Sequence, residues 1–204
     1  MIRADPLPAR LRRGLIRLLP GVDAQRRMAP SGRIPADYDP HPPGALQAAV
    51  LVLVIGREQL VFIRRATDGR AHSGQIAFPG GSREPADASL AQTALREAEE
   101  EIGLRRDHVE LLGSLTPLYI PVSNFTVHPW VGYVASPPSF VCQQTEVDET
   151  IAVPVAVLHA GRGETVVRRH GVSSRVPCYR RGVVEIWGAT AMITAVFLAV
   201  WEES

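Results

Sequence analysis

Arg96-Glu97-Ala98-Glu99-Glu100-Glu101-Ile102-Gly103-Leu104 places four glutamates in five consecutive positions. Leu90, Ala94, Leu95, Ala98 and Ile102 recur at helical spacing, Ser89 stands where an N-cap belongs, and Gly103 stands at the stop. On such a helix Glu97, Glu100 and Glu101 are three or four residues apart, which puts their carboxylates on one face and leaves Glu99 pointing elsewhere. Like charges at that spacing destabilise an isolated helix by roughly a few tenths of a kcal/mol per pair, so a counter-charge is expected. Clustered carboxylates offer hard oxygen donors, which suit Mg2+ or Mn2+ and not a thiophilic metal. For a bare glutamate-rich helix the competing explanation is a solvated acidic face. The surroundings of the helix decide between the two.

The chain of 204 residues carries 22 basic residues, all Arg, against 21 acidic ones, for a formal net charge of +1. Near-neutrality excludes a general polyanion-coating protein. With 46% hydrophobic and 21% charged residues, the composition excludes a disordered chain and a membrane protein, and predicts one globular domain that needs no disulfide or structural metal to hold its core. The absence of Lys has a bland explanation in the codon usage of a GC-rich genome, although guanidinium is also well shaped to grip phosphate. The signs are segregated. Residues 57–83 hold five Arg against two acids, and residues 84–104 hold six acids against Arg96 alone.

Residues 1–43 hold eight of the 17 prolines and eight Arg against four acids. Arg10, Arg12, Arg13 and Arg17 interleave with Leu11, Leu15, Ile16, Leu18 and Leu19, which predicts a basic amphipathic helix over residues 7–19 followed by an extended segment wrapping a domain of residues 44–204. The leucine stripe is expected to pack on that domain, with a membrane surface or an acidic partner as the alternative. No signal-peptide core follows the basic start, and Cys142 and Cys178 form no CxxC pair, so two buried reduced thiols in the cytoplasm are expected. The apolar run from Gly188 to Trp201 is too short for a membrane span and predicts a buried C-terminal helix. Ala48–Ile55 and Leu60–Ile63 predict a buried hairpin across Gly56-Arg57-Glu58-Gln59, and residues 66–81 a loop ending in Phe78-Pro79-Gly80-Gly81. Strands are predicted near Val109–Leu115, Thr126–Val134, Thr165–Arg168 and Val183–Trp187. The order fits one α+β domain with a mixed sheet and helices on its faces.

With Gly80-Gly81 ahead of it and Ile102-Gly103-Leu104 closing it, the glutamate helix resembles the Nudix hydrolase box. There a Gly is followed after five residues by Glu, and after seven more by Arg-Glu, an aliphatic, any residue, Glu-Glu, any residue, Gly and an aliphatic. Gly81 and Arg96 to Leu104 match, with Ala98 and Leu104 at the aliphatic positions. Asp87 replaces the first Glu, and eight residues separate it from Arg96, so the family's brace between these two positions is put in question. The resemblance implies a Nudix fold, a mixed β-sheet between α-helices. It also implies a metal site made by Glu97, Glu100, Glu101 and the Gly81 carbonyl for Mg2+ or Mn2+, and hydrolysis of a nucleoside diphosphate derivative by metal-activated water. One of the box glutamates would take the water's proton, or else Glu146, since family members often place a Glu in a loop opposite the box. Glu146 otherwise belongs to a surface turn.

Val61-Phe62-Ile63-Arg64-Arg65-Ala66, Arg70, Gly74 and Phe78-Pro79-Gly80-Gly81 resemble the signature of the coenzyme A pyrophosphatase subgroup, and Trp187-Gly188-Ala189-Thr190-Ala191 is similar to that subgroup's C-terminal segment. The implied substrate is coenzyme A or a derivative, cleaved to 3′,5′-ADP and 4′-phosphopantetheine, with no nucleic-acid partner and no membrane span. Arg64, Arg65, Arg70, Gly80 and Gly81 would bind it, although at least one Arg is expected to pair with Asp68 or a box carboxylate. Tyr119, Ile120, Phe125 and Trp130 either line the pantetheine arm or, as expected, pack in the core. The box alone is equally compatible with ADP-ribose, a dinucleotide or an oxidised nucleoside triphosphate. A nucleotide-sensing module without turnover would not need all three Glu, and an interaction protein would act through its basic N-terminal helix.

Overall fold

The computed structural model describes residues 6–17, 19–67, 69, 72–169 and 171–204. In chain order, α1 (Leu7–Leu15) and α2 (Gly21–Arg26) precede β1 (Leu46–Ile55), β2 (Gln59–Arg65), β3 (Ile76–Ala77) and β4 (Gly80–Ser82). Then come α3 (Leu90–Ile102), β5 (Glu110–Ser114), β6 (Leu118–Ile120), β7 (Phe125–Val134), β8 (Val147–Pro154), α4 (Val155–Ala160), β9 (Arg162–Arg169), β10 (Val172–Arg181), β11 (Val184–Trp187) and α5 (Gly188–Glu202).

The continuous apolar run of β1 is explained by what covers it. Ala49, Leu51, Leu53 and Ile55 enter one buried cluster, while Ala48, Val52 and Val54 enter another on the opposite face. A strand covered on both faces has no polar positions to alternate with. It pairs antiparallel with β2, Leu53 opposite Val61, and parallel with β7 from Leu46–Phe125 to Ile55–Val134. The eight-stranded sheet runs β3-β2-β1-β7-β5, with β8 also on β2, β4 on β1 and β6 on β7. Its parallel and antiparallel pairs make it mixed. Ala94, Ala98 and Ile102 of α3 close one face, and Met192, Val196 and Phe197 of α5 close the other, together with Leu11 of α1. The strands β9, β10 and β11 form a separate three-stranded antiparallel sheet beside α4 and α5.

Three expectations are corrected. The N-terminal helix stops at Leu15, and Pro20 stands at the N-cap of α2 within the stretch read as extended. Leu18 lies outside the described residues. Leu11 and Leu15 are buried, so the leucine stripe packs on the domain. Strand β8 begins directly after Glu146, where no strand was expected: Val147 is buried while Asp148 and Glu149 are exposed, so polar composition hid a strand seated on β2. Cys178 is buried, but Cys142 is only half-buried. Among the described residues, no helix is long and apolar enough to cross a membrane.

Candidate active site

The Ser89 hydroxyl accepts a hydrogen bond from the Gln92 amide at 3.3 Å and starts α3, and Gly103, at φ 65°, ends it in the left-handed conformation a side chain would disfavour. The loop carrying Gly80 and Gly81 lies against this helix. A Cβ on Gly80 would stand 2.3 Å from the Ala49 carbonyl oxygen, and one on Gly81 would stand 2.5 Å from Glu97 Oε1. Glycine therefore lets β4 lie on β1 and lets the Glu97 carboxylate rest on the backbone. The Gly80 amide donates to Glu101 Oε2 at 2.9 Å. Glu97, Glu101, Gly80 and Gly81 thus come together.

Their electrostatics follow from burial. Glu101 is 2% exposed, and its carboxyl is pushed up to about 7, first by desolvation, with the Gly80 hydrogen bond opposing and the charges of Glu97 and Glu146 adding. Glu97 is raised in the same way, chiefly by burial and against the pull of Arg96. Arg65 lowers Glu101, so its guanidinium is electrostatically part of the cluster.

Arg96 ties the helix to the loop. Its fork meets Asp87 through Nε–Oδ1 and Nη2–Oδ2 contacts of 3.1 Å, and Nη2 also donates to the Ser82 carbonyl at 3.0 Å. Asp87 is buried and also accepts from the Glu84 amide at 2.9 Å and the Thr93 hydroxyl at 3.0 Å. The Arg96 bonds, then the others, hold its carboxyl far below the usual range. The brace put in question by the extra residue is therefore made, with a shorter acid and a longer loop occurring together.

Glu100 departs from the one-face expectation. Arg96 Nη1 lies 3.0 Å from Glu97 Oε1 and 2.9 Å from Glu100 Oε2, and the Glu100 side chain, one turn along from Arg96, is mostly exposed. Among the described residues no three carboxylate, imidazole or thiol groups converge as a metal cluster. Two converge, with Glu100 beside them and held by Arg96. The donor chemistry still fits a hard divalent cation: oxygen atoms only, from one buried and one partly buried carboxylate whose mutual repulsion a cation would offset. Glu99 points away and pairs with Arg106.

Glu146 is exposed in the turn before β8, and its carbonyl accepts the Ala66 amide at 2.8 Å. Its charge acts on both Glu97 and Glu101, which puts it beside the box helix. A cavity of about 220 Å3 opens next to Gly80, with Arg65, Ile76, Phe78, Ile120 and Thr190 in its wall. Arg64 does not border it; its Nε is bonded at 2.8 Å to Glu149, its partner across the strand pair. Arg70 and Asp68 lie outside the described residues. Of the four apolar candidates only Ile120 borders the cavity, while Trp130 packs against the α3-side cluster. The Trp187–Thr190 stretch does border it, and Thr190 Oγ1 donates to the Ile76 carbonyl at 3.0 Å, fixing the start of α5 there. Arg33 also stands in this wall, and sequence reasoning missed it: it lies in a segment outside every motif, where its charge was the only signal.

A family model described as "NUDIX domain" matches residues 45–165. An "Uncharacterized Nudix hydrolase NudL" of Yersinia enterocolitica is 40% identical over 150 residues, covering 72% of this chain and 76% of that protein. One of the same name from Pectobacterium atrosepticum is 44% identical over 111 residues, which is 53% of this chain and 57% of that one. Among solved structures, a Nudix hydrolase from M. smegmatis, RenU, superimposes with a TM-score of 0.53 at 16% identity, over 78% of this chain and 84% of that one, a likeness of fold.

Proposed function

The chain belongs to the Nudix hydrolase family, and we propose that it cleaves the pyrophosphate bond of coenzyme A and its derivatives, releasing 3′,5′-ADP and 4′-phosphopantetheine. The observation that carries this reading is the junction at Gly80. On one side lie the buried Glu101 and the partly buried Glu97; on the other a cavity whose wall combines Arg65 with apolar side chains. That pairing suits a ligand that is part diphosphate and part uncharged arm. The signature from Val61 to Gly81 supports coenzyme A over other pyrophosphates. The two free thiols support a reducing, cytoplasmic compartment.

Nudix enzymes generally use divalent cations. Glu97, Glu100, Glu101 and the Gly81 carbonyl would hold Mg2+ or Mn2+, which when bound neutralises phosphoryl charge and acidifies water. The residues of the chain do the rest. Gly80 orients Glu101 through its amide, and the Arg96–Asp87 fork locks the helix to the loop that presents Gly81. Arg65 takes the diphosphate oxygens. Glu146 accepts the proton of the attacking water, from a turn near enough for its charge to act on Glu97 and Glu101. The apolar wall excludes competing solvent.

The test is product identification after incubation with coenzyme A and Mg2+ or Mn2+. Formation of 3′,5′-ADP and 4′-phosphopantetheine is the expected result. Hydrolysis of ADP-ribose far faster than of coenzyme A would overturn the substrate and leave the reaction class.

A further inference from the structure

The cavity beyond Gly80 carries charge of one sign. Among the described residues that border it, the ionisable ones are Arg33, Arg65 and His72, with no carboxylate. The two guanidinium groups mark different ends. Arg65 acts on Glu101, whereas Arg33 also borders a second cavity of about 150 Å3 that shares Trp187 and Gly188 with the first. Apolar side chains such as Val50, Ile76, Phe78 and Ile193 make up much of the rest of the wall. A ligand matched to this wall is anionic near Glu101, less polar in the middle, and anionic again at Arg33.

Arg33 is held in place by its chain. Its amide donates to the Pro30 carbonyl at 3.0 Å, Met28 just before that turn is fully buried, and Ile34 just after it packs on the core. The backbone that carries Arg33 is therefore anchored beside the cavity, and an arginine on an anchored backbone loses less freedom on binding than one on a mobile loop does. Arg33 precedes, and Trp187 to Ile193 follow, the 45–165 stretch shared with the family. This end of the cavity is thus built from parts outside the common core, where substrate discrimination is free to differ between relatives.

We propose that Arg33 binds a phosphomonoester that the substrate carries apart from its pyrophosphate. On the reading above, on which its identity rests, that group is the 3′-phosphate of coenzyme A. A phosphate dianion offers two oxygens to the guanidinium fork, and a partly buried contact is screened less than an exposed one. ADP-ribose has no such group, so Arg33 selects among pyrophosphates instead of assisting their cleavage.

Calorimetric titration of the full chain with adenosine 3′,5′-bisphosphate and with 5′-AMP tests this without turnover. The wild type should bind the bisphosphate about tenfold or more tightly than AMP. Arg33→Met should bring the ratio close to one, and Arg33→Lys, which keeps the charge but not the fork, should leave an intermediate ratio. Equal affinity of the wild type for both, or a full preference in Arg33→Met, overturns the proposal. If Arg33→Met does not fold, the wild-type ratio and Arg33→Lys decide, with an unchanged preference in the lysine variant counting against it. Coenzyme A turnover is scored separately. Turnover without a bisphosphate preference rejects Arg33 and keeps the substrate; a preference without turnover rejects the substrate and keeps Arg33.

Discussion

The two faces of the main sheet are closed by helices of opposite character. Beneath α5, Met192, Val196 and Phe197 meet Val52, Val54, Leu60 and Phe62, and the buried Thr194 simply bonds back to the Thr190 carbonyl at 2.8 Å. Beside α3, an apolar patch of Ala94, Ala98 and Ile102 is bordered by Asp87, Arg96, Glu97 and Glu101, all largely buried. The first face is held by non-directional burial, which tolerates repacking. The second is held by charges that are costly unless each keeps its partner. The candidate metal site borders the second, where folding alone would not favour two carboxylates near enough for each to act on the other.

Substitutions separate these roles. The largest effect is expected from Glu101→Gln on turnover, a fall of at least about 10²-fold in kcat with metal present, read by product formation. Full activity would exclude Glu101 as a metal ligand. Next comes Asp87→Asn, which removes the fork partner of the partly buried Arg96 while leaving Glu97 and Glu100 beside it, and should cost about 3 kcal/mol in urea unfolding. The pH dependence has a definite sign: the folded carboxyl lies below its ordinary 3.8, so the difference from wild type is fully present above that value and shrinks as pH falls further. On the other face, Leu11→Ala should cost about 2–4 kcal/mol at any pH, as a cavity does. A pH-dependent loss there would contradict the contrast between the faces.

Glu101 also predicts a gain. Its folded carboxyl is raised from 4.5 to about 7, so in metal-free protein its ionisation opposes folding once pH exceeds 4.5, and the penalty is complete above about 7. Glu101→Gln should therefore stabilise the metal-free protein by roughly 3 kcal/mol at pH 8 and by nothing at pH 4. Added Mg2+ should erase the gain by stabilising the wild type alone. An unchanged melting profile at pH 8 would mean that the carboxylate is not paying this desolvation cost.

The central hairpin and α3 were legible because each obeys one local rule: an unbroken apolar run for β1, helical spacing with a serine cap and a glycine stop for α3. That Glu97 and Glu101 share a face was legible because spacing on a helix fixes direction, whereas Gly80 and Gly81, which lie off the helix, were legible only through the resemblance to the family box. What escaped has a physical reason in each case. The exposed half of β10, with Ser173, Ser174 and Arg175, is polar because solvent covers it, so composition gave no strand. The engagement of Glu100 by Arg96 depends on a side-chain choice that spacing allows but does not select. Arg33 reaches the cavity only through the tertiary path of the segment after α2, a relation that no local pattern encodes.

The smallest expected effect bears on two adjacent arginines that the sequence treats alike. Arg64 and Arg65 end β2, where the register with β8 shifts, and Arg64 meets Glu149 while Arg65 borders the cavity and acts on Glu101. The Arg64–Glu149 side chains are 27% and 54% exposed, so solvent screens the pair and Glu149→Gln should change stability by no more than about 0.5 kcal/mol. Arg65→Ala should raise KM for coenzyme A by about tenfold or more, since a charge-assisted contact to the diphosphate is lost. Arg64→Ala should move KM by about twofold or less. Equal effects from the two alanine variants would mean that Arg64 leaves Glu149 when substrate binds, and that the two arginines do not divide their roles.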